Sequence, residues 1–117
     1  MSTSKTFRKN SPDANQPKTP KTYKLQFVPE ALEEWNALDG SVKQPLKKLL
    51  EKRLQEPRIP GASLGGDLSN CYKIKLRKRG YRLVYEVYDN TVIVLVLSVG
   101  KREGDAAYIT ASQRRGT

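Results

Sequence analysis

Eight basic side chains are concentrated in one stretch of the sequence, from Cys71 to Glu103, which holds only three acids. They are Lys73, Lys75, Arg77, Lys78, Arg79, Arg82, Lys101 and Arg102. Ammonium and guanidinium groups bind phosphate oxygens, and the fork of an arginine can hold two of them at once. The chain contains no histidine, so proton transfer here would have to use lysine, tyrosine or a carboxylate. The stretch therefore predicts a surface for a polyanion, with any acid–base chemistry carried out without histidine.

The alternation of residue types around these cations predicts strands that separate them from a core, because successive residues of a strand point to opposite faces. In the first predicted strand, residues 71–76, the aromatic and aliphatic side chains take one face and two lysines the other. In the next, residues 81–87, Arg82 and Glu86 share a face with Val84. A hairpin of the two strands would bring Arg82 beside the lysines. The alternative is a solvated sheet face on which the long side chains spread apart.

Composition and charge narrow the classes of function. The 117 residues carry a formal net charge of +10, which favours a partner rich in phosphate or acidic groups. The 37% hydrophobic content suits one modest core. A single cysteine excludes an internal disulfide, and the lack of histidine argues against a zinc site, so we expect no metal and no cofactor. No apolar run approaches the roughly 20 residues of a membrane-spanning helix, which predicts a cytoplasmic protein without a membrane partner.

Residues 1–21 differ from the rest of the chain, because they are rich in Ser, Thr, Asn, Pro and Lys and poor in large apolar side chains. Such a segment cannot bury enough apolar surface to offset the entropy of ordering it. We therefore predict a disordered basic extension over residues 1–21 and one folded domain over residues 22–117. The extension is either a solubilising segment or a basic arm that follows phosphates.

The rest of the chain predicts the element order β-α-α-β-β-β. Alternation over residues 23–28 indicates a strand, Pro29 suits the first turn of a helix, and a second helix is expected over about residues 42–56. Asp39 offers a cap between the two helices. Residues 57–70 have no periodicity and predict a loop. The first helix is expected to carry an apolar stripe as far as Leu38.

Three strands complete the expected fold. The sequence Arg-Lys-Arg-Gly at residues 77–80 predicts a hairpin turn, and the continuously apolar residues 92–99 predict a strand covered on both faces. The last residues, including Tyr108, form either a short helix or a tail. The fold class is α+β: a small antiparallel sheet with an N-terminal helical hairpin packed on one face.

Four segments of the chain resemble the RelE family of toxin–antitoxin proteins. They are Glu-Ala-Leu-Glu-Glu-Trp at residues 30–35, Cys-Tyr-Lys-Ile-Lys-Leu at 71–76, Gly-Tyr-Arg-Leu-Val-Tyr at 80–85 and Ser-Val-Gly-Lys-Arg-Glu at 98–103. The resemblance extends over roughly residues 23–108. It implies the same small α+β fold and a ribosome-dependent endoribonuclease that cuts messenger RNA in the decoding site. It also implies a RelB-like antitoxin, the ribosome with its 16S rRNA, and messenger RNA as partners, with operator DNA bound only through the toxin–antitoxin complex.

The resemblance also assigns residues. Its catalytic positions correspond to Lys73, Lys75, Arg82, Arg102 and Tyr108. The remaining basic residues of the stretch are then expected to contact RNA: Arg77, Lys78, Arg79 and Lys101. One departure is visible at Gly65, where relatives often carry an arginine, so a basic contact to RNA or to the ribosome is missing there.

These residue types suit cleavage by the 2′-hydroxyl of the RNA itself. Neighbouring cations lower the pKa of a lysine from its usual value of about 10.4, so Lys75 is the preferred base, with Tyr108 and Glu86 as alternatives. Arg82 is the expected clamp on the phosphorane, and Arg102 adds electrostatic stabilisation. Tyr108 either stacks on a base or shares in proton transfer. Glu86 has a second interpretation as the ion-pair partner of Arg82.

Other interpretations remain open at this point. Cys71 is expected to pack in the core rather than to act as a nucleophile, because no activating base accompanies it. The related ParE branch shares the fold and inhibits DNA gyrase, so a gyrase inhibitor is one alternative function. A non-catalytic RNA-binding module is another.

Overall fold

The computed structural model describes residues 22–101 and 106–115. The strands are β1 (Lys24–Phe27), β2 (Cys71–Leu76), β3 (Tyr81–Tyr88) and β4 (Ile93–Lys101), and the helices are α1 (Pro29–Asn36), α2 (Gly40–Gln55) and α3 (Ala106–Arg114). Two short 3-10 turns, Pro60–Ala62 and Gly66–Leu68, lie in the segment that precedes β2. The predicted N-terminal extension and the candidate residue Arg102 lie outside the described residues.

The four strands form one sheet in the order β1-β4-β3-β2. The strands β2, β3 and β4 pair antiparallel, and the predicted α+β fold with its element order is confirmed. The sheet departs from the predicted antiparallel arrangement only at β1, which pairs parallel with β4. A parallel pair needs a long connection between its strands, and here the helical hairpin, β2 and β3 all intervene. The strand β4 lies between β1 and β3, and its residues Val96 and Leu97 are buried in hydrophobic clusters on opposite faces, so the predicted covering of both faces is confirmed.

The helical hairpin forms where capping and apolar spacing place it. Pro29 occupies the first turn of α1, and the carboxylate of Asp39 caps α2 by accepting a hydrogen bond of 3.1 Å from the backbone N–H of Ser41. Leu46 and Leu50 lie one turn apart and are buried. The hairpin thus turns its apolar stripe toward one face of the sheet.

A tight turn over residues 77–80 sets the register of β2 against β3. Gly80 has a φ of 70°, which glycine adopts without strain, and its N–H donates to the Leu76 carbonyl at 2.9 Å. This closure places Leu76 opposite Tyr81. Every pair further along the hairpin, including those that carry the cations, follows from this register.

Two hydrophobic clusters flank the sheet, so the expectation of a single core is wrong. The first lies under the helical hairpin and contains Leu46, Leu50, Ile74, Leu83, Tyr85 and Val96. The second lies under α3 and contains Cys71, Val84, Leu97, Ala107 and Ala111. The face that carries the cations is therefore partly covered by the C-terminal helix. Among the described helices, none has the length and apolar character needed to cross a membrane.

Candidate functional site

Three cations meet on the face of the sheet opposite the helical hairpin. The strand register pairs Lys75 with Arg82 and Lys73 with Val84, so Lys73, Lys75 and Arg82 share one face. Directly opposed residues have Cβ atoms about 5 Å apart. Arg82 is only 7% exposed, whereas both lysines are half-buried. We call Lys73, Lys75 and Arg82 the basic cluster.

Helix α3 brings an aromatic ring to this cluster. The Cζ atom of Arg82 lies 5.1 Å from the centroid of the Tyr108 ring, within the range of a cation–π contact. On the other side of Arg82, β4 contributes Gly100, where an added Cβ would meet no atom within 4 Å. The backbone paired with Arg82 on β4 therefore carries no side chain, and the Tyr108 ring lies against the guanidinium.

The first turn of α3 is fixed to the sheet by Ser98. This residue of β4 is 3% exposed, and its hydroxyl donates to the carbonyl of Ala107 at 3.0 Å. Because Ala107 directly precedes Tyr108, the bond helps to set the height of the ring above the sheet. A buried hydroxyl without a partner would cost stability, so this bond also satisfies Ser98.

Arg114 fixes the last turn of α3 to two other elements. Its two terminal nitrogens each donate to one carboxylate oxygen of Glu34 on α1, both at 2.9 Å, and one of them also donates to the Leu97 carbonyl at 2.8 Å. Glu34 further accepts from the backbone N–H of Val99 at 3.1 Å. Burial raises the pKa of Glu34, but the bonds from Arg114 and Val99 outweigh it, so the net pKa is lowered.

Arg115 makes a second ion pair, with Glu86 on β3. Its Nε donates to one oxygen of the Glu86 carboxylate at 2.9 Å, and the Tyr88 hydroxyl donates to the other oxygen, also at 2.9 Å. Glu86 is 6% exposed. It lies four residues from Arg82, which in a strand corresponds to about 13 Å. Both carboxylate oxygens of Glu86 are bonded to Arg115 and Tyr88, so its ion-pair partner is Arg115 and not the Arg82 of the second interpretation.

The thiol of Cys71 is packed rather than activated. Its side chain is fully buried, in the cluster that also contains Val84 and Leu97. Burial raises the pKa of the thiol to about 11, with a smaller contribution from the nearby Glu86 carboxylate. A thiol in this state is a poor nucleophile at neutral pH, in keeping with the predicted packing role.

The outer cations have different positions. Arg77, Lys78 and Arg79 are exposed in the turn that closes the β2–β3 hairpin, one residue pair beyond Lys75 and Arg82. Lys101 is exposed but pairs with Tyr81, which packs in the cluster under the helical hairpin. It therefore lies on the opposite face of the sheet from the basic cluster, and the two are not brought together.

Tyr108 also lines a cavity of about 590 Å³. Its lining residues come from α3 and from the segment before β2: Leu64, Gly65, Leu68, Tyr108, Ile109, Ser112 and Gln113. Gly65, where the resemblance led us to expect an arginine in relatives, lies at this cavity. Over the described ranges 22–101 and 106–115, no three thiol or carboxylate side chains form a metal-binding group.

Sequence reasoning did not find Glu34, Ser98, Arg114 and Arg115 as parts of the site. Two signals were available. First, Glu86 is a carboxylate in a predicted buried strand, so it needs a cationic partner. Second, Arg114 and Arg115 lie at the C-terminal end of the last segment, where basic side chains stabilise a helix. Neither signal names the partner.

Comparison with known proteins identifies the family. The profile of a family described as "ParE toxin of type II toxin-antitoxin system, parDE" matches residues 25–106. The chain belongs to this toxin family. Within it, the mRNA interferase toxin RelE of Escherichia coli K12 is 50% identical over 92 residues, which are 79% of this chain and 96% of that protein. A putative RelE-like toxin protein from E. coli is 47% identical over the same shares of the two chains.

Solved structures of the E. coli toxin RelE have the same fold as this chain. A variant of the E. coli toxin RelE with two arginines replaced by alanine, in the free state, has a TM-score of 0.74 at 48% identity, covering 80% of this chain and 98% of that one. The same variant in complex with a peptide of the antitoxin RelB has a TM-score of 0.67 at 49% identity, covering 77% and 94%. The resemblance to the RelE family inferred from sequence motifs is confirmed.

Proposed function

We propose that this chain is the toxin of a type II toxin–antitoxin system and that it cleaves messenger RNA as a ribosome-dependent endoribonuclease. Family membership and the name mRNA interferase carried by a relative 50% identical support the reaction class. The observation that carries the proposal is the basic cluster, in which Lys75 and Arg82 are directly opposed and the Tyr108 ring lies over Arg82. This arrangement combines a base, a phosphate clamp and a stacking platform.

The proposed reaction uses the RNA's own 2′-hydroxyl as nucleophile. Lys75 in its neutral form takes the hydroxyl proton as the general base. The 2′-oxygen then bonds to the adjacent phosphorus, and the bond from phosphorus to the 5′-oxygen breaks as that oxygen receives a proton from Tyr108 or water. The products are a 2′,3′-cyclic phosphate and a 5′-hydroxyl.

The remaining cations stabilise charge in this scheme. Arg82 clamps two oxygens of the phosphorane with its planar fork, and Lys73 and Arg102 contribute further positive charge. Tyr108 stacks on a nucleobase, as aromatic side chains do with single-stranded RNA. The exposed turn residues Arg77, Lys78 and Arg79 bind ribosomal RNA at the rim, and Lys101 does so from the other face.

The proposed partners follow from the same comparison. A RelB-like antitoxin is supported by the complex of the E. coli toxin RelE with an antitoxin peptide, whose toxin is 49% identical to this chain. The ribosome with its 16S rRNA and messenger RNA are the substrate-presenting partners, operator DNA is bound only through the toxin–antitoxin complex, and the site of action is the cytoplasm. Presentation of the RNA by the ribosome would supply the orientation that side chains alone do not.

The direct test is cleavage by purified protein on ribosomes stalled with a defined codon in the decoding site. We expect cuts at a fixed position within that codon, with 2′,3′-cyclic phosphate ends, and no comparable cutting of the same message free in solution. Intact message on the programmed ribosomes would refute the proposal. Equal cutting of free message would refute its ribosome dependence.

Inhibition of DNA gyrase is a second candidate, because the matching family profile is described by the ParE toxin. Supercoiling assays with purified gyrase would separate the two functions. Gyrase inhibition together with intact message on ribosomes would favour this second candidate. A chain that binds ribosomal RNA but does neither would be a non-catalytic RNA-binding module.

A further inference from the structure

We propose that Arg114 and Arg115, with their partners Glu34 and Glu86, are positioning residues for the cleavage reaction. They hold α3 on the sheet so that Tyr108 stays over Arg82. This inference rests on the proposed nuclease function, because it concerns the geometry of that same site. Arg114 and Arg115 would then affect cleavage by positioning Tyr108 and not by contacting RNA.

The buried carboxylate of Glu86 ties α3 to the sheet. A carboxylate that is 6% exposed must be matched by donors, since an unpaired buried charge is strongly unfavourable. Arg115 serves one carboxylate oxygen and Tyr88 the other, each at 2.9 Å. The interior of the sheet is thereby tied to the residue that directly follows α3, and α3 cannot move away without leaving the Glu86 charge unmatched.

Arg114 anchors the last turn of α3 through several hydrogen bonds at once. Its guanidinium bonds to both oxygens of Glu34 and to the Leu97 carbonyl, and Glu34 also accepts from the Val99 N–H. One residue thus connects α1, β4 and α3. Two-point contact of this kind fixes direction as well as distance, because the guanidinium fork is planar and rigid.

The helix α3 has little stability by itself. The helix has nine residues, and isolated helices of that length are not stable in water. Its described buried apolar residues are two alanines, Ala107 and Ala111, which supply little hydrophobic area. The polar anchors at its last turn therefore carry a large share of its attachment. Tyr108 lies in its first turn, so tilting of the helix at the far end displaces the ring.

The alternative is that the two arginines bind RNA themselves. Their side chains are 18% and 21% exposed, and both are already engaged with carboxylates. An RNA contact would have to break these ion pairs. The experiment must therefore separate an effect through Tyr108 from a direct contact.

The test is a pair of double-mutant cycles on programmed ribosomes. Arg114→Ala and Arg115→Ala are each made in the natural chain and in a Tyr108→Ala background. Single-turnover cleavage is followed as a function of toxin concentration. In the natural chain we expect each variant to lower the maximal rate about tenfold, with the half-saturating concentration within about twofold. In the Tyr108→Ala background we expect no further loss.

Matched variants keep the test informative. Gln113→Ala removes a neighbouring exposed side chain of the same helix and should leave the rate within about twofold. Glu86→Gln keeps an oxygen that accepts from Arg115 and should retain most of the rate, whereas Glu86→Ala should match Arg115→Ala. Hydrogen exchange of the α3 amides reports the attachment of the helix directly, and we expect faster exchange in Arg115→Ala with the sheet amides unchanged.

Each outcome decides between the possibilities. Equal losses with and without Tyr108 would mean that the arginines act independently of it, and would overturn the inference. If Arg114→Ala and Arg115→Ala do not change the cleavage rate when Tyr108 is present, the inference would also be overturned. If the natural chain does not cleave at all, the proposed function fails, and the hydrogen exchange still decides whether Arg115 holds α3: unchanged exchange in Arg115→Ala would overturn the anchoring itself. If Arg115→Ala does not fold, Arg115→Lys, which keeps the charge but loses the Nε geometry, takes its place in the cycle.

Discussion

Lys75 and Arg82 lie directly opposite each other on β2 and β3, so the two basic side chains project from the same face of the sheet. Arg82 is nearly buried there, and repulsion between like charges is stronger where water is excluded. In the proposed reaction this shared face binds a phosphate of the RNA strand, whose oxygens accept hydrogen bonds from both side chains.

Replacing Arg82 by alanine should abolish most of the cleavage while the fold persists. The loss of a clamp that stabilises the phosphorane corresponds to a rate reduction of about 100- to 1,000-fold. Arg82→Lys should recover only a small part, since a lysine keeps the charge without the bidentate fork. Cleavage on programmed ribosomes measures the loss of activity, and circular dichroism of the same samples measures whether the fold persists. Undiminished cutting by Arg82→Ala would contradict its role.

Lys75 and Lys73 should respond differently to replacement by arginine, because only Lys75 is proposed to act as a base. Lys75→Arg retains the positive charge but cannot act as a base near neutral pH, so we expect a loss of at least about 100-fold. The matched variant Lys73→Arg preserves the electrostatic contribution expected of that residue and should be affected much less. Single-turnover rates for the two variants make the comparison. If Lys75→Arg cuts as fast as the natural chain, the base lies elsewhere, and Tyr108 becomes the next candidate.

Gly65→Arg should strengthen docking without changing the chemical step. The backbone at Gly65 has a φ of −110°, which any residue adopts, and a Cβ there would meet no atom within 4 Å. An arginine reaching a ribosomal phosphate should make the salt dependence of binding steeper by about 0.7 to 0.9 in slope. Binding to ribosomes at several salt concentrations measures this, with Gly65→Gln as the uncharged control. An equal gain from both variants would show that charge is not the cause.

Acid should loosen α3 through the Glu34–Arg114 pair. Because the pKa of Glu34 is lowered in the folded protein, the pair contributes stability above the ordinary glutamate pKa of about 4.3, and that contribution is lost as the pH falls through the folded value. The free energy of unfolding should therefore fall more steeply below about pH 4.5 in the natural chain than in Glu34→Gln. Urea titrations at several pH values compare the two. Parallel curves would mean that the pair adds nothing.

The sequence alone determined the elements and the faces of the strands. Alternation in residues 71–76 and 81–87, the turn at Gly80, the apolar run of β4 and the cap at Asp39 are local signals, and local physics is sufficient to read them. Once the turn fixed the register, Lys75 had to lie opposite Arg82. The RelE resemblance rested on these same segments and added the roles of the residues.

The tertiary structure determined the contacts between distant parts of the chain, which local sequence patterns do not encode. The parallel pairing of β1 with β4, the covering of Val84 by α3, and the position of Tyr108 over Arg82 all depend on contacts between distant parts of the chain. The same holds for the partners of Glu34 and Glu86. A carboxylate in a buried strand needs a cationic partner, and this need can be inferred from sequence. Which arginine pairs with it depends on how α3 packs on the sheet, because pairing between side chains of distant elements leaves no pattern in sequence spacing.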